Sequence, residues 1–168
     1  MKNKNYKEFL SAINAFIFDI DGVLTDGKIL ITSEGKMYRE MDTKDGFAIK
    51  YALDKGFKIA IISGGKDKGI EARLKDLGIK NIFLGFTDKE KPFNDFLENE
   101  NIKPNEILYM GDDIPDIKVM NKVLISTCPN DAVIDVKQIS DYVSHKNGGH
   151  GCVREIIEQV LRVQNKWI

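Results

Sequence analysis

Residues Ala15–Thr25 read AFIFDIDGVLT, an unbroken apolar run that ends in two aspartates set two residues apart and a glycine. Apolar residues at every position, not at alternate ones, mark a strand buried on both faces, as in a parallel sheet. The run predicts a strand over Ala15–Ile20, with Asp19 and Asp21 where the chain leaves its carboxyl end.

The same grammar repeats outward from this stretch. Phe57–Ile62 (FKIAII) predicts a strand, Ser63-Gly64-Gly65 a turn, and Lys66–Leu77 a helix closed by Gly78. Asn81–Leu84 predicts a short strand and Lys89–Asn101 a helix ended before Pro104. Glu106–Met110 (EILYM) predicts another strand, followed by Gly111-Asp112-Asp113 and a helix through Asn121. Lys122–Ser126 and Asp141–Ser144 read as two more short strands, and Val153–Val163 as a closing amphipathic helix. Between the first two strands, Lys28–Met41 holds two alternating stretches, KILIT and KMYREM, joined by Ser33-Glu34-Gly35, which predicts a β-hairpin. Thr43 is placed to cap the helix that follows, which runs to Lys55 and stops at Gly56.

Strands alternating with helices predict a three-layer, doubly wound, Rossmann-like α/β domain over residues 1–168, with right-handed crossovers. Such sheets place ligands beyond the carboxyl ends of their strands. The polar residues fall there: Asp19 and Asp21, then Ser63, then Asp112 and Asp113. No rule of core packing requires acids, a hydroxyl and glycines at three strand tips.

The residue types suit phosphate ester chemistry. One carboxylate can attack phosphorus as a nucleophile, and its neighbour can protonate the leaving alkoxide and later deprotonate water. A carboxylate approaching a phosphate dianion meets like charge, so a cation is needed, and Mg²⁺ takes hard oxygen ligands such as Asp19, Asp112 and a backbone carbonyl. The hydroxyl of Ser63 and neighbouring N–H groups can hold phosphate oxygens, and Lys89 can neutralise them. Bland readings stand beside each: Asp-Gly is a common turn, and Asp112-Asp113 suits a helix N-cap.

The bulk numbers exclude other classes. The chain of 168 residues is 42% hydrophobic and 30% charged with a net charge of −1, which fits one globular domain and disfavours nucleic acid or an anionic membrane as partner. No apolar run approaches the roughly 20 residues of a membrane span, and the opening MKNKNYKEFLSAIN is too polar for a signal peptide. Cys128 and Cys152 lack metal-ligand spacing and read as buried thiols of a cytoplasmic protein.

The four elements DIDGVLT, IISGG, Lys89 and GDDIPD resemble, in order, the four motifs of the haloacid dehalogenase superfamily of phosphohydrolases, over residues 15–120. The resemblance implies Asp19 as nucleophile and Asp21 as general acid/base. It implies Mg²⁺ held at Asp19, Asp21 and Asp112, phosphate bound by Ser63, Gly64 and Lys89, and support from Asp113 and Asp116. The stretch from Thr25 to Ser63 is filled by a hairpin, a helix and a strand, which is similar to the capless members. DGVLTDG, the hairpin, Lys44–Gly46 (KDG) and the late segment GGHGCVRE at Gly148–Glu155 resemble the 3-deoxy-D-manno-octulosonate 8-phosphate phosphatase family, whose members serve lipopolysaccharide synthesis.

This closer resemblance implies a sugar-acid phosphate substrate. It also implies a homotetramer whose hairpins (about 28–41) form a central barrel and whose C-terminal segment (about 146–168) covers a neighbour's pocket. Thr25, Asp26, Asp45, Gly46, Lys66, Arg73 and His150 are its candidate substrate contacts. Gly65 stands where the octulosonate enzymes commonly carry arginine and nine-carbon sugar-acid relatives carry glutamate, which leaves Lys66 or Arg73 to meet a carboxylate. A hairpin with exposed Ile29, Ile31 and Met37 agrees with self-association, since pairing would cover its edges. Two other classes stay open on the residues alone. One is a non-catalytic phosphate-binding regulatory domain, and the other is a receiver-type signalling domain.

Overall fold

The computed structural model describes residues 5–168. The elements run β1 (Ala15–Phe18), β2 (Leu30–Ile31), β3 (Met37–Tyr38), α1 (Thr43–Asp54), β4 (Lys58–Ser63), α2 (Lys68–Asp76) and β5 (Asn81–Leu84). They continue with α3 (Glu90–Glu100), β6 (Ile107–Met110), α4 (Ile117–Met120), β7 (Ile125–Cys128), α5 (Ile134–Ile139), β8 (Tyr142–Val143) and α6 (Cys152–Val163). A short 3-10 helix over Tyr6–Ala12 precedes them.

Six strands form a parallel sheet in the order β5-β4-β1-β6-β7-β8, with β1 paired to β4 on one side and to β6 on the other. The all-apolar strands still alternate, because successive side chains point to opposite faces. Phe16, Phe18, Ile59, Ile61, Leu108 and Met110 pack with α1, α2 and α6, while Ala15, Ile17, Ala60, Ile62, Ile107 and Tyr109 pack with α3, α4 and α5. Two apolar layers around one sheet explain why the sequence runs were unbroken. β2 and β3 form the separate antiparallel hairpin after the first strand, and among the described residues there is no cap domain.

The differences from the sequence reading are local and have physical causes. β1 ends at Phe18, because the Asp19 carboxylate accepts from the Ile20 N–H (2.6 Å) and turns the chain out of the sheet. Residues 20–24 then form one wide turn, closed by the Thr25 N–H on the Ile20 carbonyl at 3.0 Å. Asp42, not Thr43, caps α1, its carboxylate accepting from the Lys44 N–H at 2.7 Å, where a negative charge also suits the helix end. Asp67 likewise caps α2, so that helix begins at Lys68. β7 spans Ile125–Cys128, later than Lys122–Ser126, and the segment expected to be helical after Asp113 is a 3-10 turn over Ile114–Asp116 leading into α4.

Candidate active site

β1, β4 and β6 end side by side, and their tips open onto a cleft of about 430 Å³ lined by Asp19, Asp21, Ser63, Gly64, Lys89, Asp112, Asp113 and Asp116. Four separated stretches of sequence therefore meet in one place. Asp19 is buried, and its Oδ2 accepts from the Lys89 ammonium at 2.8 Å. Burial pushes the Asp19 carboxyl up to about 6, against the pull of Lys89, with the negative charge of Asp116 adding to the rise. Burial alone would lower Lys89, but Asp19 and Asp116 outweigh it and hold its ammonium above the ordinary lysine value. Lys89 sits just before α3 and is itself buried, its Nζ reaching Asp116 Oδ1 at 2.7 Å.

Asp116 is tied on both oxygens. Oδ1 also accepts from the Tyr109 hydroxyl at 2.5 Å, and Oδ2 accepts from the N–H groups of Asp112 (3.2 Å) and Asp113 (3.3 Å). It braces the loop after β6 and holds Lys89. Tyr109 was missed in the sequence reading, although a phenol in a buried strand demands a polar partner and was the available signal. Asp113 is exposed and caps the 3-10 turn through the Ile114 N–H at 2.7 Å.

Asp112 is the unsatisfied member. Its Oδ1 is buried without a hydrogen-bond partner, and burial followed by the charges of Asp19 and Asp116 pushes its carboxyl up to about 8. Carboxylate oxygens of Asp19, Asp112 and Asp116 lie within 4.8 Å of one another. Acids crowded in this way, one with an orphaned oxygen, fit a hard divalent cation such as Mg²⁺. Asp116 accepts four hydrogen bonds across its two oxygens, whereas Asp112 Oδ1 accepts none and each Asp19 oxygen accepts one, so Asp112 and Asp19 have lone pairs left with which to hold a cation.

The Asp21 carboxylate faces the cleft's edge, apart from that cluster. Arg39, at the foot of the hairpin, donates from Nε to Asp21 Oδ1 at 2.6 Å and from Nη2 to Oδ2 at 3.3 Å. Arg39 carries no signal in the sequence, because it looks like any charged residue of an alternating strand. Ser63 closes β4, is buried, and its Oγ accepts from the Gly65 N–H at 3.2 Å, which places the hydroxyl and the loop amides at the cleft.

The remaining candidates divide. Lys66 and Arg73 line a neighbouring cleft of about 650 Å³ with Lys36, Arg39 and Lys68. Thr25 is buried and braces the loop, its hydroxyl donating to the Ile20 carbonyl at 3.2 Å and accepting from the Gly27 N–H at 3.3 Å. Asp26 pairs with Lys28, and its carboxyl is lowered chiefly by the Lys28 N–H. Gly46 faces Arg73, whose Nη2 would stand 2.9 Å from an added Cβ. His150 is exposed and folds back on the Gly148 carbonyl at 2.6 Å. None of Thr25, Asp26, Asp45, Gly46 or His150 lines the 430 Å³ cleft.

Within the chain, the glycine-rich segment packs as a support beneath the loop that carries Asp21 and Gly22. Gly22 has φ +88 and would place a Cβ 2.0 Å from Asp112 Oδ2, so only glycine lets the two loops touch. Gly148 presses on the same loop: a Cβ there would lie 1.9 Å from the Gly22 carbonyl oxygen. The Gly149 N–H and the Cys152 thiol both donate to the Val23 carbonyl, at 2.9 and 3.3 Å. The start of α6 lacks a side-chain cap of its own, and Asp45 supplies one from α1, its Oδ1 accepting from the Arg154 N–H at 2.7 Å. Burial pushes the Asp45 carboxyl up to about 6, the Arg154 N–H opposing.

A buried aspartate at the tip of a central strand, a buried lysine paired to it, and facing acids at the next strand tip define a phosphotransfer-type hydrolase site on a doubly wound sheet. The chain belongs to the haloacid dehalogenase-like hydrolases, whose family pattern matches residues 33–128. Within that family it is 39% identical, over 92% of its own length and 82% of the relative's, to the 3-deoxy-D-manno-octulosonate 8-phosphate phosphatase KdsC of Salmonella typhi. The crystal structure of the enzyme of that name from Yersinia pestis superposes with a TM-score of 0.94 at 31% identity, covering 97% of this chain and 88% of the other. The Moraxella catarrhalis enzyme, solved with magnesium ion, phosphate ion and KDO, superposes with a TM-score of 0.91 at 31% identity, covering 95% and 92%.

Proposed function

We propose that this protein hydrolyses 3-deoxy-D-manno-octulosonate 8-phosphate to the free sugar acid and inorganic phosphate. The observation that carries the reading is the convergence of Asp19, Lys89 and Asp112 on one cleft with Asp21 at its edge. Relatives bearing that activity's name match nearly the whole chain. Asp19 attacks phosphorus, the ester P–O bond breaks, and the leaving alkoxide takes a proton from Asp21. Asp21 then takes a proton from water, whose oxygen attacks the aspartyl-phosphate; the bond from phosphorus to Asp19 breaks and phosphate leaves. Mg²⁺ held by Asp19 and Asp112 supplies charge to offset the phosphate oxygens. Lys89 holds Asp19 in place and adds positive charge, while the Ser63 hydroxyl and the Gly64 amide would receive phosphate oxygens.

A phosphate-release screen tests this by comparing eight-carbon and nine-carbon sugar-acid phosphates with simple esters. Preference for the eight-carbon acid is expected, and preference for a simple ester refutes the substrate while leaving the chemistry. Asp19→Asn is expected to fold and to lose turnover by on the order of 10⁴-fold; full activity removes Asp19 as nucleophile.

The assembly reading rests on the hairpin, where Ile29, Leu30, Ile31, Met37 and Tyr38 are exposed together. Strands of two residues each do not stand alone in water, so a homotetramer joined through the hairpins suits them. The cytoplasm is the proposed location, in keeping with two buried unpaired cysteines and, among the described residues, no helix long and apolar enough to cross a membrane. A net charge of −1 likewise gives nucleic acid and membranes no general attraction.

A further inference from the structure

Arg39 lines the 650 Å³ cleft and reaches the edge of the 430 Å³ cleft through its bonds to Asp21. Its side chain is 8% exposed, and three carboxylate oxygens surround it: the two of Asp21, and Asp67 Oδ2 at 3.3 Å from Nη1. Asp67 is itself fixed, its Oδ1 capping α2 through the N–H groups of Gly69 (2.8 Å) and Ile70 (3.0 Å). Asp67 therefore anchors one edge of the guanidinium, and the Nε/Nη2 edge is left for one further carboxylate. Asp21 takes that edge with both its oxygens. An oxygen engaged by the guanidinium is not turned to the leaving group, so Asp21 is parked at the hairpin.

Three features make the parking exchangeable. The Asp21 side chain is 36% exposed, so burial does not lock the pair. Gly65 carries no side chain where a Cβ would stand 3.3 Å from Asp21 Oδ2 and 3.8 Å from Arg39 Nη2, so the fork is open to an incoming group. The adjoining 650 Å³ cleft is lined by Lys36, Lys66, Lys68 and Arg73, with Asp67 as its one acid, a field that draws an anion toward Arg39.

We propose that Arg39 reads the substrate's own carboxylate and thereby determines specificity. With the phosphate at Asp19, the carboxylate of a sugar acid takes the Nε/Nη2 edge of Arg39 in place of Asp21, and Asp21 is released to meet the leaving oxygen. One carboxylate replaces another on the same guanidinium, so Arg39 keeps a charge-assisted pair throughout the exchange. An ester without a carboxylate leaves Asp21 parked and turns over slowly. This inference rests on the sugar-acid reading above.

The test compares phosphate release from the eight-carbon sugar-acid phosphate and from ribose 5-phosphate, which lacks a carboxylate, in the wild type, Arg39→Gln and Arg39→Lys. In Arg39→Gln, kcat/KM for the acid is expected to fall about 10–100-fold, the worth of one charge-assisted pair. In the same variant kcat for ribose 5-phosphate rises, because Asp21 is no longer held, and Arg39→Lys restores part of the discrimination. Equal losses on both substrates, or an unchanged ratio, overturn the proposal. A second arm uses the wild-type protein alone: formate or acetate, a carboxylate small enough to reach Arg39 beside bound ribose 5-phosphate, is expected to raise its kcat. Inhibition or no effect overturns the proposal, and this arm stands even where the wild type shows no preference for the phosphorylated acid.

Discussion

Gly148→Ala isolates the support beneath the catalytic loop. The backbone at Gly148 lies outside the positive-φ region, so alanine is tolerated there as a conformation and only its methyl is at issue. That methyl would sit 1.9 Å from the Gly22 carbonyl oxygen and 2.9 Å from the Thr25 carbonyl oxygen, where ordinary contact begins at 3.4 Å. Both obstacles are backbone, not the ends of flexible side chains, so the loop carrying Asp21 and Gly22 must retreat by more than an ångström. Overpacking of this kind costs about 1–3 kcal/mol, which for a chain of this size lowers Tm by roughly 2–12 °C. A displacement of that scale in a catalytic loop removes about 10²-fold in rate. Calorimetry and steady-state phosphate release measure the two effects separately. A variant that melts within the expected range yet keeps wild-type kcat refutes the idea that residues 148–152 position the loop.

Three further outcomes follow from the same geometry. The Asp45 carboxyl is raised in the fold from 3.8 to about 6, so the native state binds more protons than the unfolded chain between those values; stability therefore falls as pH rises from 4 to 6, by on the order of 2 kcal/mol, and then levels. Asp45→Asn keeps the oxygen on the Arg154 N–H and should flatten that part of a Tm-against-pH curve, and an unchanged slope would assign it to other groups. Excess chelator should abolish turnover and Mg²⁺ should raise Tm, since a cation relieves the crowding at Asp112; activity persisting in chelator would sink the metal reading. Leu30→Asp with Ile31→Asp places charge on the exposed hairpin strands and should shift the particle mass measured by light scattering to that of a smaller species; unchanged mass would remove the hairpin from the interface.

The sheet was readable because its central strands announce themselves. AFIF, IAII and ILYM are apolar throughout, and their tips carry the acids and hydroxyl that the fold gathers. β7 was misplaced because its interior is polar: Ser126 and Thr127 are buried, with hydroxyls donating to Asp141 Oδ2 (2.9 Å) and the Tyr109 carbonyl (2.9 Å), partners no local pattern reveals. α5 and the 3-10 helix Tyr6–Ala12 were missed because short helices are held by packing, not by propensity. Among the site residues, the strand-tip acids were legible as types at spacings. The partner of Asp21 was not, because Arg39 reaches it from a separate hairpin, and sequence distance hides such a meeting. Asp45 stands as a substrate candidate only through the resemblance carried by KDG at Lys44–Gly46; its contact with the start of α6, where Oδ1 accepts from the Arg154 N–H, has no local signal.

The seam between Val23 and Gly149 carries an implication for synthesis. A ribosome delivers the nucleophile's strand early, and the six-stranded sheet nears completion before the glycines that prop the loop have emerged. A half-made chain can thus fold much of its interior while its reactive aspartates remain unsteadied. Hydrolytic competence is then expected to arrive only once the residues around 150 dock against Val23.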